Sequence, residues 1–164
     1  MEMHKRLLCD ANVLIDYMNA SPALLFRLSE FYGGLYVPDV VFAEVGCIRD
    51  AEPAEYGIEL LETPFEALET VAGLSLQDCC CLFYAQNGFC CVANDVKLRK
   101  TCMLRDCTVI WGLELLVEYH RSGEVSKQEA LELAMAMRKE NASLTASILH
   151  EFEVKLGDGT IPIV

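Results

Sequence analysis

Short apolar runs that predict β-strands alternate with segments that predict α-helices along most of the chain. The predicted strands span residues 6–10, 35–37, 56–62, 89–93 and 107–111. The predicted helices span residues 11–19, 21–32, 38–47, 64–72, 75–85, 95–104, 112–121, 126–139 and 143–152. Strands that alternate with helices are typical of βαβ units, so the sequence predicts an α/β fold with a parallel sheet. Residues 156–164 fit either a turn with a short strand or a loose tail.

The composition excludes a disordered chain and a membrane-spanning one. Hydrophobic residues make up 53% of the 164 residues, and no tract is of low complexity. The uncharged runs fall short of the about 18 continuous apolar residues that a spanning helix needs. The first apolar run is too short for a signal peptide and ends at Asp10. We therefore expect one soluble, cytoplasmic domain that enters no membrane.

The net charge of -12 argues against nucleic-acid binding by bulk electrostatics. The basic residues are unevenly distributed, however. No Lys or Arg occurs from Asp50 to Val96, and four then follow within nine residues: Lys97, Arg99, Lys100 and Arg105. The sequence thus predicts a local basic stripe on the helix over residues 95–104, which fits either a phosphate-binding surface or an ordinary solvated helix face.

Nine cysteines occur in the chain, in clusters at residues 79–81 and 90–91 and singly elsewhere. No pair has the C-x-x-C spacing that zinc sites usually show. The clusters lie inside apolar runs, where a free cysteine behaves as a small hydrophobic residue. We therefore expect reduced thiols in the core of a protein from a reducing compartment.

Four acidic residues stand out because they interrupt or end apolar segments. Asp10 and Asp95 end apolar runs, Glu44 interrupts VVFAEVGCI, and Asp78 is the only charged residue in the 24 positions from 71 to 94. Each has a structural explanation, since an acid commonly caps a helix or faces solvent. In a parallel sheet, however, residues that follow different strands meet at one edge. Clustered carboxylates attract a hard divalent cation, so the set predicts a Mg²⁺ or Mn²⁺ site suited to phosphodiester hydrolysis.

Four segments containing these acids resemble, in order and spacing, the four acidic motifs of PIN-domain nucleases. They are LLCDANVLID, VVFAEVG, LSLQDCCCLFYA and VANDVKLRK, and VIWGLELLVEYHRSGEVS is similar to the strand and helix that usually follow. The resemblance covers about residues 5–124. It implies a Rossmann-like three-layer α/β/α sandwich with a central parallel sheet, and an acidic Mg²⁺ or Mn²⁺ site that cleaves single-stranded RNA.

Carried over by motif position, the resemblance gives each acid a role. Asp10, Glu44, Asp78 and Asp95 would be the catalytic metal ligands. Groups behind the ligands or beside the substrate would be Asn12, Asn94, Lys97, Arg99 and Lys100. Many prokaryotic members of the family are toxins similar to VapC, each held inactive by a small antitoxin. The resemblance therefore also implies a possible antitoxin partner.

Residues 125–164 extend beyond the resemblance and predict two helices with apolar faces. A helix with such a face must bury it. We expect the extension to pack on the catalytic domain, residues 1–124, or on a second copy of the chain, and we favour a homodimer.

Three other interpretations remain beside the nuclease. A haloacid-dehalogenase-type phosphatase needs a second Asp two residues after the first, where this chain has Asn12. A receiver domain needs an acidic pair at the first strand end, and CDAN supplies one acid. A PIN-like module that binds nucleic acid or protein without catalysis is the alternative of a different class, although all four acids are present.

Overall fold

Five parallel strands form a central sheet in the computed structural model, which describes residues 6–157. The strands are β1 (Arg6–Cys9), β2 (Leu35–Pro38), β3 (Ile58–Leu61), β4 (Phe89–Val92) and β5 (Val109–Ile110). Their order across the sheet is β3-β2-β1-β4-β5, and every neighbouring pair is parallel. In the register, Leu8 of β1 pairs with Tyr36 of β2 and with Cys91 of β4. The predicted α/β class and parallel sheet are confirmed.

Eight α-helices and one 3-10 turn, Pro53–Tyr56, accompany these strands within residues 6–157. The helices are α1 (Ala11–Ala20), α2 (Pro22–Tyr32), α3 (Asp39–Phe42), α4 (Leu76–Gln86), α5 (Val96–Leu104), α6 (Gly112–Arg121), α7 (Lys127–Glu140) and α8 (Ala146–Leu156). The helices form two groups that are each linked by contacts. One group consists of α1, α2, α6, α7 and α8, and the other consists of α4 and α5. The sheet between two groups of helices is consistent with a three-layer sandwich.

The central strands are apolar because both faces of the sheet are covered. All four residues of β4 are buried, as are Leu7, Leu8 and Cys9 of β1. Near-continuous apolar strands are expected where helices cover a parallel sheet on both sides. This explains why these runs lack the polar alternation of a half-exposed strand.

The C-terminal helices belong to the same hydrophobic core as the rest of the chain. Helix α7 packs on α1 and α6, and α8 packs on α6 and α7. Ala130, Ala134 and Met137 of α7 and Phe152 of α8 are buried in that core. Residues 158–164, where we expected a short strand or a tail, lie outside the described residues. None of the helices in residues 6–157 has both the length and the apolar composition that crossing a bilayer requires.

Two predicted helices differ from the structure. Residues 64–72 form turns rather than a helix, with Phe65 largely exposed. Helix α3 ends at Phe42, and residues 43–51 continue as turns, although the sequence predicted a helix to residue 47. None of residues 64–72 is fully buried, so a short helix there would lack the packing on which its stability depends. Residues 43–51 do bury Val45 and Ile48, but they do so from turns, and Gly46 between them disfavours a helix.

Candidate functional site

The site lies where the direction of chain connection changes in the sheet. Strand β1 continues toward β2 on one side, while its neighbour β4 continues toward β5 on the other. A crevice opens at the carboxyl end of the sheet at such a switch point, and it is where open α/β sheets bind ligands. Asp10 directly follows β1, and Asn94 and Asp95 follow β4 at this edge.

Asp10 is a buried carboxylate at the start of a helix. It is 6% exposed, and its Oδ1 accepts a hydrogen bond from the Ala11 backbone N–H at 2.8 Å, so it is the N-cap of α1. Its Oδ2 makes no hydrogen bond within the described part of the chain. One oxygen therefore fixes the side chain, and the other is available to a ligand.

Asp95 and Asp78 have the same arrangement at two other helix starts. Asp95 caps α5, with its Oδ1 accepting from the Leu98 N–H at 2.8 Å. Asp78 forms a capping box with Ser75 at the start of α4: each backbone N–H donates to the other side chain, at 3.1 and 3.4 Å. These three acids thus have the structural roles that the sequence suggested, and each keeps one oxygen outside its cap.

Three of the predicted acids act electrostatically on the fourth, Asp10. The pKa of Asp10 is raised from 3.8 to about 6, first because burial disfavours the charged form. Negative charge on Asp78, Asp95 and Glu44 raises this pKa further, and the hydrogen bond from Ala11 opposes the shift. Carboxylates from three other segments of the chain therefore lie near enough to the buried Asp10 carboxyl group to affect its pKa.

Glu44 reaches this group from a different kind of segment. It is exposed in the turn after α3, and its backbone N–H donates to the Val41 carbonyl at 3.0 Å. The sequence placed it on a helix, which the shorter α3 corrects. A side chain on an exposed turn keeps more conformational freedom than the three aspartate side chains that are held by hydrogen bonds at helix starts.

The two asparagines of the motifs belong to the segments that follow β4 and β1. Asn94 follows β4, and its Oδ1 accepts a hydrogen bond from the Gly112 N–H at 2.9 Å. This bond connects the end of β4 to the start of α6. Asn12 is exposed in the first turn of α1, two residues from Asp10.

The basic residues of α5 have two different environments. Lys97 and Lys100 are exposed, whereas Arg99 is 8% exposed. The Arg99 guanidinium donates to the Ala93 carbonyl at 3.0 Å and lies 3.6 Å from the Trp111 ring centroid. One of its donors is thus used within the protein, because the side chain folds back over the loop between β4 and α5. Lys97 and Lys100 are left as the cations of this stripe that face solvent.

Two further features of this edge were not singled out from the sequence. Asp39 follows β2 and accepts a hydrogen bond from Thr63, which lies after β3. The rule that drew attention to Asp10, an acid directly after a strand, applies equally to Asp39. Trp111 is 44% exposed at the start of α6. The sequence signal for it is weak, namely its position directly before the helix that begins at Gly112.

The donor set has the chemistry of a site for a hard cation, because it consists of carboxylate oxygens with no thiolate or imidazole. Within residues 6–157, however, no three His, Cys, Asp or Glu side chains already lie close enough together to hold a metal ion. Binding of a metal ion would require the acidic side chains to move closer together. Glu44 and Asp95 are exposed and have room to do so.

No protein-family model, curated protein or solved structure matches the chain. The chain is an α/β protein with a five-stranded parallel sheet and a group of acidic residues at its switch point.

Proposed function

We propose that the protein is a Mg²⁺- or Mn²⁺-dependent ribonuclease of the PIN type that hydrolyses phosphodiester bonds in single-stranded RNA. The observation that carries the proposal is Asp10, whose pKa is raised first by burial and further by three carboxylates from separate parts of the chain. Concentrating negative charge in this way is unfavourable without a cation. The motif resemblance supplies the reaction class.

In this proposal the acids hold the ion and the cations hold the substrate. A bound Mg²⁺ or Mn²⁺ would lower the pKa of its water and neutralise the charge that develops on the phosphate. Asp10, Asp78 and Asp95 would present their uncapped oxygens, and Glu44 would close the site from its turn. Asn94 stays fixed to the start of α6. Lys97 and Lys100 would contact the RNA backbone, one charge each.

The main test is the loss of a single negative charge at the centre of the site. Asp10→Asn keeps an oxygen that can cap α1 and changes the volume little. We expect RNA cleavage to fall by about 10²-fold or more, as is typical when an essential catalytic group is lost. Cleavage of a labelled single-stranded oligonucleotide with Mn²⁺, and calorimetric titration with Mn²⁺, would both be measured.

Asp50→Asn is the control, since it makes the same change at an exposed position that is not among the carboxylates acting on Asp10. It should retain cleavage and Mn²⁺ binding. Full cleavage by Asp10→Asn, or by the unaltered protein in excess chelator, would refute the nuclease proposal.

A non-catalytic PIN-like binding module is the second candidate. It is favoured by the lack, among the described residues, of three ligands already at metal-holding distance. This candidate predicts RNA or protein binding that is unaffected by chelator and by Asp10→Asn.

The partners form part of the same proposal. A cytoplasmic toxin with this activity would be controlled by a small antitoxin protein. A short neighbouring gene for a DNA-binding protein with a disordered tail would support that control, and the unrestrained growth of cells that express the chain alone would oppose it.

A further inference from the structure

A cavity of about 220 Å³ lies directly beside Asn94, between the start of α6 and helix α8. Its walls are mainly apolar and include Leu113, Ile148 and Phe152. It is smaller than the roughly 300–1,000 Å³ pockets that hold drug-sized ligands, so its size suits one flat ring system. Because Asp95 follows Asn94 in the chain, the cavity is adjacent to the acidic crevice.

Trp111 forms one side of this cavity and is held in place from behind. The Arg99 guanidinium lies 3.6 Å from the ring centroid, and the indole is still 44% exposed. A cation against an aromatic face fixes the ring, so that little freedom is lost when a ligand stacks on it. Fixed, exposed aromatic rings beside a phosphate-cleaving site are suited to stacking a nucleobase.

The rim of the cavity is polar and carries more negative than positive charge. Lys155 pairs with Glu114, so the one lysine of the rim is neutralised. Glu151 is exposed at the rim and forms no ion pair within residues 6–157. Such a rim disfavours a phosphate group and offers carboxylate acceptors to a ligand that carries N–H donors.

The polar end of the cavity is held by hydrogen bonds from outside it. Asn141 donates to the buried Asp16 at 2.9 Å and accepts from the Ser143 N–H at 3.0 Å. These bonds tie the loop between α7 and α8 to α1. The cavity is therefore bounded by fixed elements rather than by a loose surface groove.

We infer that this cavity binds a nucleobase of single-stranded RNA next to the bond that is cut, and that it prefers bases with an exocyclic amine. The identity of the ligand rests on the proposed ribonuclease function. The base stacks on the free face of Trp111, with Leu113, Ile148 and Phe152 around it. Its amine donates to the Glu151 carboxylate. Cytosine meets this requirement, and uracil presents a carbonyl oxygen at the same position.

The single tryptophan of the chain provides a direct readout of binding. Its indole N–H gives one signal in a proton–nitrogen correlation spectrum of the full-length protein. Cytidine, uridine and ribose would be titrated separately in the presence of chelator. We expect cytidine to shift the indole signal in a saturable way and uridine to bind about fivefold or more weakly, since one hydrogen bond is lost. Ribose should leave the signal in place.

Two matched substitutions on α8 locate the binding site. Ile148→Asp places a charge in the wall of the cavity, and Val154→Asp makes the same kind of change on α8 outside it. Cytidine binding should weaken about fivefold or more in the first variant and remain unchanged in the second. Glu151→Gln should bring cytidine and uridine to similar affinities, because an amide can face either base. Thermal melting would verify that each variant is folded.

Three results would overturn the inference: no indole shift with cytidine, equal effects of Ile148→Asp and Val154→Asp, or a shift caused by an apolar peptide but by no nucleoside. The last would identify the cavity as a protein-binding site. Because the titration needs neither metal nor cleavage, its outcome is independent of the nuclease test. RNA cleavage without nucleoside binding would refute only the base pocket, and nucleoside binding without cleavage would refute only the nuclease.

Discussion

Asp10 has two roles whose energetic effects oppose each other. Its Oδ1 satisfies the Ala11 N–H at the start of α1, which favours folding. Its charge is buried beside the negative charges of Asp78, Asp95 and Glu44, which disfavours folding. The hydrogen bond from Ala11 favours the charged form, but burial and the neighbouring negative charges outweigh it, so the net effect of the charge on the metal-free protein is unfavourable.

Asp10→Asn should therefore stabilise the metal-free protein at neutral pH. With a pKa of about 6 in the folded chain and 3.8 as its ordinary value, Asp10 takes up a proton on folding between these pH values. Its unfavourable contribution is absent below pH 3.8, grows as the pH rises and is complete above about 6. The shift corresponds to about 3 kcal/mol as an upper bound. Denaturant unfolding at pH 4 and pH 8, in chelator, would measure it.

The gain of Asp10→Asn should be present at pH 8 and nearly absent at pH 4. Asp50→Asn, at an exposed position, should change the free energy of unfolding little at either pH. A variant that is less stable than the unaltered protein at pH 8 would show that the charge of Asp10 supports the fold.

The cysteines should differ sharply in reactivity. None of the nine forms a disulfide in residues 6–157; Cys47 is exposed, Cys107 is partly buried and the other seven are buried. Burial raises the pKa of Cys9 to about 12, which suppresses its reactive thiolate. A thiol reagent should label Cys47 at once and Cys107 more slowly, and it should count nine thiols in denaturant. Stoichiometric zinc or fewer than nine thiols would contradict this.

Not every site residue could be predicted from the sequence with equal precision. Asp10 and Asp95 are found by a local rule, an acid directly after a buried strand. The contacts of Arg99 include the ring of Trp111, which directly follows β5. Spacing along α5 gives no information on that long-range contact, and so the sequence grouped Arg99 with Lys97 and Lys100.

At the scale of elements, the segment over residues 64–72 shows where periodicity fails. Its proline start and mixed composition predicted a helix, yet it forms turns with bonds such as Ala67 N–H to Pro64 O at 2.8 Å. Glu69 is held by a bidentate ion pair with Arg105, at 2.5 and 2.9 Å. The side chains of this segment are exposed or half-buried, so little apolar packing is available to favour a helix there. Strands β1, β2 and β4 were predictable because burial itself produces their apolar runs.

Gly57 should be far less replaceable than Gly33, although both have positive φ, at 71° and 77°. A Cβ on Gly57 would lie 2.4 Å from the Cβ and Oγ of Ser29, whereas a Cβ on Gly33 would meet nothing within 4 Å. Gly33→Ala should cost about 1 kcal/mol in backbone strain. Gly57→Ala should cost about 3 kcal/mol or more, because the clash between the turn and α2 is added.

Thermal or denaturant unfolding of the two glycine variants would measure the difference. Equal losses of stability would show that α2 moves away from the 3-10 turn without cost and that the Ser29 hydrogen bond to the Gly57 carbonyl, at 2.5 Å, is dispensable.

In the whole molecule, the last two helices, α7 and α8, contribute buried side chains to the main hydrophobic core. Helix α7 packs on α1, the helix that Asp10 caps, and Asn141 after α7 bonds to Asp16 of α1. The site and the C-terminal helices are thus coupled through one short helix.

Removal of residues 124–164 should lower stability strongly and expose apolar surface of α1 and α6. Truncation after Gly157 is the control, because it retains α7 and α8. Unfolding and dye-binding measurements would compare the two. Light scattering over a range of concentrations would test the homodimer that we propose, for which Met135 supplies an exposed apolar side chain on α7. A stable, soluble chain without residues 124–164 would contradict the coupling.

The capping role of Asp10, Asp78 and Asp95 also has a consequence for inheritance. Asparagine or serine can accept the same backbone hydrogen bonds at a helix start, and aspartate and asparagine codons differ by one nucleotide. One mutation can therefore remove a proposed metal ligand from a descendant gene while the encoded chain still folds. Selection for folding alone would not preserve these acids, so a lineage that retains all of them is under selection for what the crevice does.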